Sequence, residues 1–129
     1  MSSSGAPASH TGAPGEQTCA ASGCHDDNKL NSGKATVNIS LENNLNHIEA
    51  RKTYAVKIKI SDTDVNRFGF QMVALDSKTN ENAGTFHISD SIRTQTVKNM
   101  YKLQDRNYVT YTFNGTDAVS KGNGEWIVN

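Results

Sequence analysis

The chain lacks the features that announce several large classes of protein. Its 13 basic and 13 acidic side chains cancel. No run of five or more Lys or Arg occurs, so no net field draws it to nucleic acid. No apolar stretch comes near the eighteen or so residues that span a bilayer, so no membrane span is read. The opening residues, MSSSGAPASH, have neither the charged nor the apolar region of a secretory signal. They read like the segment just after a cleavage site, and on this ground alone export stays open. No Ser-His-Asp order, carboxylate pair or glycine-rich phosphate loop stands out, so the chain is read as a non-enzyme. Helical periodicity is almost absent. Cysteine is scarce, with only Cys19 and Cys24.

What is present divides near Gly33. Hydrophobic residues make up 35% of the 129, below the usual globular share, and much of the deficit lies before that point. Residues 1–32 are rich in Ser, Gly, Ala, Asn, Asp and Pro and read as an irregular N-terminal arm. Residues 33–129 carry strand patterning and read as one β domain. In KATVNISL, Lys34 to Leu41, the residues Ala35, Val37, Ile39 and Leu41 share a face. In YAVKIKI, Tyr54 to Ile60, the residues Tyr54, Val56, Ile58 and Ile60 face one way and Lys57 and Lys59 the other. One dry and one wet face is the signature of an antiparallel sheet.

FGFQMVAL, Phe68 to Leu75, is apolar on both faces in part and predicts a central strand. GTFHI (Gly84–Ile88), MYKL (Met100–Leu103), YVTYTF (Tyr108–Phe113) and EWIV (Glu125–Val128) complete the set, separated by turn-forming NENAG, NGTD and KGNG. About seven short strands predict an all-β, immunoglobulin-like antiparallel β-sandwich, a fold built in about 100 residues. The last strand stops at Asn129 with no turn after it, as if cut before its natural end. That open strand suggests exchange or stacking between copies, giving a homo-oligomer or filament.

The chemistry concentrates in TGAPGEQTCAASGCH, Thr11 to His25. Three readings fit Cys19, Cys24 and His25. A disulfide would staple a Gly/Ala-rich segment. A zinc site would take two thiolates and one imidazole, with His10, His47 or His87 as a fourth ligand. Covalent haem attachment uses Cys-x-x-Cys-His, both thiols adding to the porphyrin and the adjoining His becoming the proximal iron ligand. Here the spacing is Cys-x4-Cys-His. The second Cys still adjoins the His, and Ala20, Ala21, Ser22 and Gly23 are small enough to bulge beside a porphyrin. For the sixth ligand, Met72, Met100 and His10 stand level, with His47 and His87 behind them. SDTD, Ser61 to Asp64, offers two carboxylates for calcium, although a turn uses the same residues.

Thr11–His25 resembles the opening of bacterial choice-of-anchor V domains, which are similar to Reeler-type β-sandwiches. Tyr54–Ile60, Phe68–Asp76, Asn82–Phe86 and Tyr108–Thr116 resemble that family's downstream landmarks, so the likeness covers nearly the whole chain. The cysteine spacing is longer than the family's usual motif, and the end after Trp126 departs from it. The resemblance implies an exported, extracellular or cell-surface protein and favours haem c held by Cys19 and Cys24, with His25 on the iron. The function expected is electron transfer, with other redox proteins or copies of itself as partners. The alternative is a haem-free adhesion or carbohydrate-binding surface module with a Cys19–Cys24 disulfide.

Overall fold

The computed structural model describes residues 4–21, 23 and 25–129. They are nearly all β. Six strands form two antiparallel sheets of three, and helix is confined to single 3-10 turns at 42–44 and 114–116. The first sheet has the order β1-β2-β6, from Thr36–Leu41, Val56–Ser61 and Asn123–Val128. The second has the order β3-β5-β4, from Gln71–Met72, Tyr108–Tyr111 and Thr94–Val97.

The registers explain which side chains are inside. Ile58 of β2 stands opposite Ile39 of β1 and Trp126 of β6. Directly opposed residues share a face, so Val37, Ile39 and Leu41 lie on the same side as Ile58 and Trp126. The core joins Ile58, Trp126 and Val128 of the first sheet to Val109 and Tyr111 of the second, with Phe68 from the approach to β3. Trp126 is fixed at both ends. Its indole N–H donates to the Gly115 carbonyl at 2.9 Å, and the Phe70 ring lies 4.9 Å from its own, tilted by 45°.

The expected strands are realised unevenly. β2 and β6 fall close to their expected positions, although Tyr54 stays outside β2 and its hydroxyl accepts the Glu49 N–H. The Phe68–Leu75 run was expected as a central strand, yet only Gln71–Met72 joins a ladder, and it is the edge of its sheet. The chain passes close to Tyr111 at Gly69. A Cβ there would come within 2.5 Å of the Tyr111 ring. Gly84–Ile88 forms no strand, and its ladder-like contact is the two-way pairing of His87 with Asn129.

Met100–Leu103 is a turn, because the Asn99 side chain accepts the N–H groups of Tyr101 and Lys102 and Leu103 takes φ 49°. Thr94–Val97 is a strand that hydrophobic alternation did not announce. Its buried Thr94 hydroxyl is satisfied by the Asp90 carbonyl at 2.7 Å. The first strand carries the largest departure. Its apolar face was expected to be covered, but Val37 is 64% and Ile39 58% exposed.

All four residues of β5 are buried, because its sheet is covered on both faces. Val109 and Tyr111 enter the core, and Tyr108 and Thr110 are covered by the N-terminal arm. At one level across the sheet, Gln71, Thr110 and Gln95 are register partners and form a polar row. Gln71 donates to the carbonyls of Ala6 (3.1 Å) and Pro7 (2.7 Å) and accepts the His10 N–H (2.9 Å). Gln95 donates to the Ser4 carbonyl at 2.9 Å, and the Thr110 hydroxyl accepts the Ala6 N–H at 3.3 Å. These side chains supply the arm with the hydrogen bonds that a neighbouring strand would otherwise give.

Candidate functional site

The segment holding Cys19 and His25 leaves the body of the protein from a fixed base. Thr11 and Thr18 bridge as an antiparallel pair, with a turn at Ala13–Glu16 between them. The turn aims Glu16 into the protein, where its side chain is fully buried beside Arg106, itself 9% exposed. Arg106 Nη1 donates to Glu16 Oε1 at 2.8 Å, and the Tyr108 hydroxyl donates to the same oxygen at 2.6 Å. The Thr11 hydroxyl and N–H occupy Oε2 at 2.6 and 3.2 Å. Ser9 extends the cluster, with its hydroxyl 3.1 Å from that of Tyr108 and 3.1 Å from Asn99 Nδ2. Every lone pair that burial strips of water thus finds a donor.

The electrostatics follow. Burial pushes the Glu16 carboxyl up, but the hydrogen bonds from Thr11, Tyr108 and Arg106 outweigh it and hold the group below its ordinary value. Burial pushes the Tyr108 phenol up, and the Glu16 carboxylate adds to that shift. Glu16 is therefore a charged anchor at neutral pH. It was not singled out from the sequence. Its visible signal was a lone acidic residue in an apolar-poor turn, and its partners lie 90 and 92 residues away along the chain.

Beyond Thr18 the chain turns outward. The Thr18 carbonyl accepts the Ala21 N–H at 3.0 Å and its hydroxyl accepts the Ala20 N–H at 3.3 Å. Cys19 and His25 are both exposed. Cys24 lies outside the described residues. Gly23 has φ +78°, and no described atom lies within 4 Å of where a Cβ would sit.

Of the expected sixth ligands, His10 meets the cysteine segment through its backbone, its carbonyl accepting the Cys19 thiol hydrogen at 3.6 Å. His10 Nδ1 faces the carbonyls of Ala8 (2.9 Å) and Pro7 (3.1 Å). Those acceptors require a hydrogen on Nδ1, which leaves the lone pair of the neutral ring on Nε2. Metal-ligating histidines are oriented by the same second bond. Met100 is 74% exposed, in the turn whose Asn99 reaches Ser9. Met72 packs against the core and lines a groove of about 850 Å³ with Leu41, Ile48, Val56 and Phe86. It thus points to the other side of β3 from Gln71, which holds the arm. His47 is exposed against Asn46, and His87 is exposed at the rim of the groove.

Among the described residues no three His, Cys, Asp or Glu side chains gather as metal ligands. The SDTD carboxylates are engaged locally. Asp62 accepts the Asp64 N–H at 3.0 Å, and Asp64 pairs with Lys34. No helix among the described residues is long and apolar enough to cross a membrane. Comparison with protein-family models, curated proteins and solved structures finds no match for this chain.

Proposed function

We propose that the protein is an exported β-sandwich module of the choice-of-anchor V type, carrying one covalent haem on its N-terminal arm for electron transfer at the cell surface. The sandwich reading is supported by a single core drawn from both sheets. The haem reading is supported by one observation above the others: Cys19 and His25 stand exposed on a small-residue loop whose base is pinned to the sheet through buried Glu16. The residues fit the group. Cys19 and Cys24 would hold the group through thioether bonds and His25 would ligate its iron, with His10 a candidate for the remaining ligand. When bound, the haem supplies an iron that exchanges one electron. The chain would contribute a loop with a pinned base and exposed Cys19 and His25, open to the approach of a second redox centre. Attachment to such a motif takes place outside the cytoplasm, so the reading includes export.

The deciding experiment is intact mass and haem staining under denaturing conditions, on protein made in a host that attaches haem to exported chains. The expected mass exceeds that of the chain by one haem, and the colour survives denaturation because thioethers do not release it. An unmodified mass, short only of two hydrogens, overturns the proposal. It would leave the adhesion or carbohydrate-binding module with a Cys19–Cys24 disulfide as the better account.

A further inference from the structure

The exposed face of β1 is unusual for an edge strand. Natural edges are blunted by charge, proline, a bulge or a covering loop. The six residues Thr36–Leu41 carry no charge and no proline, and they pair with β2 without a bulge over their whole length. The Glu42 N–H donates to the Ala55 carbonyl at 2.9 Å, one step beyond the Leu41–Val56 pair. Hydrogen-bonded and non-bonded pairs alternate in an antiparallel ladder. Thr36, Asn38 and Ser40 therefore turn their N–H and C=O groups toward β2, and Val37, Ile39 and Leu41 turn theirs outward. Among the described residues no strand lies beyond that edge.

We propose that β1 is a self-complementary edge that pairs antiparallel with β1 of a second copy about a two-fold axis at Asn38. The register follows from the chemistry. Outward-facing backbone groups belong to odd-numbered residues, so odd must meet odd. With Asn38 opposite Asn38, Val37 faces the second copy's Ile39 and Ile39 faces its Val37, each pair exchanging two hydrogen bonds. The aliphatic side chains then meet as cross-strand neighbours on the face that carries Ile58, and the half-exposed apolar strip becomes shared. Carried one step past the strand ends, the same register brings Lys34, which pairs with Asp64 of its own chain, toward the second copy's Glu42, whose carboxylate also accepts the Ala55 N–H. A shift by two residues keeps the backbone match but loses this charge match. An isologous pairing of this kind closes on itself, so it stops at two copies. It involves neither cysteine and is independent of any haem.

The test is sedimentation equilibrium of the full chain through the micromolar range, with Trp126 fluorescence and urea unfolding as the check on fold. The wild type is expected to rise from 14.0 kDa toward twice that mass. Val37→Pro removes an N–H that the β1–β2 ladder does not use, a position where an edge strand tolerates proline. It should weaken dimerisation by about tenfold or more with the wild-type unfolding midpoint kept. Ile39→Lys changes an exposed side chain and should have the same effect by placing a cation against Val37 of the second copy. A wild type that stays monomeric overturns the proposal. So does growth beyond two copies, or dimers unaffected by both variants. If both variants lose the monomer fold, the edge is not free as argued and the proposal fails on that ground too.

Discussion

Replacing Glu16 with Gln tests whether the arm is part of the fold. The substitution keeps the shape and one acceptor oxygen but removes the charge that balances Arg106. With the carboxylate fully buried and the guanidinium 9% exposed, solvent cannot replace the lost partner. Removing one member of a buried pair typically costs about 3–5 kcal/mol, mostly from the charge left behind. A small protein loses about 1–3 kcal/mol of stability per molar urea, so the midpoint should fall by about 2 M. Trp126 fluorescence reports the unfolding, since that indole sits in the core. Changing Arg106 to Met as well should recover part of the loss, because an apolar pair leaves no isolated charge. A midpoint drop below about 0.5 M for Glu16→Gln, or a double variant worse than the sum of the singles, would refute the reasoning. The first result would mean that the arm leaves the sheet at little cost to the rest of the chain.

Glu16 also sets an acid response. Its folded value lies below the ordinary 4.5, so between the two the unfolded chain binds more protons. Its stabilisation is then fully present above 4.5 and lost as pH falls through the folded value. Subtracting the Glu16→Gln stability curve from the wild-type curve should isolate that loss. Gly5→Ala should destabilise by about 1–3 kcal/mol, because Gly5 has φ +90° and a Cβ there would lie 2.8 Å from Gln95 Nε2 and Thr110 Cγ2. Limited proteolysis should find the arm cut faster in that variant than in the wild type. On haem-loaded protein, His10→Ala should leave the pigment covalently attached and shift its spectrum toward five-coordinate iron. An unchanged spectrum would move the sixth ligand elsewhere.

The legible parts of the sequence were those whose neighbours lie on the same sheet face. YAVKIKI alternates because Ile58 faces the core while Lys57 and Lys59 face water, and its Val56–Ser61 ladder falls where the pattern put it. Thr94–Val97 was hidden because its buried position is a threonine, satisfied by an Asp90 carbonyl rather than by apolar contact. KATVNISL predicts the right face but the wrong environment. Periodicity shows which side chains share a side and says nothing of whether another element extends over them. The cysteines were visible as a motif. The mount beneath them was not, because Ser9, Thr11 and Glu16 look like loop residues until Arg106 and Tyr108 arrive from the far end of the chain.

That mount changes what the N-terminal arm can do. A cofactor on a free tether samples many orientations, and its distance to a partner is an average. Here the polar row of Gln71, Thr110 and Gln95 and the ion pair beneath Glu16 hold the arm from Ser4 to Thr18. The residues that follow start from a fixed point, with Cys19 one residue beyond the Thr11–Thr18 bridge. Electron transfer falls steeply with edge-to-edge distance, so a fixed mount is worth more to a redox group than to an adhesive loop. The edge of β1 lies in the other sheet from the one the arm covers. Pairing of two copies through β1 would therefore leave both arms uncovered.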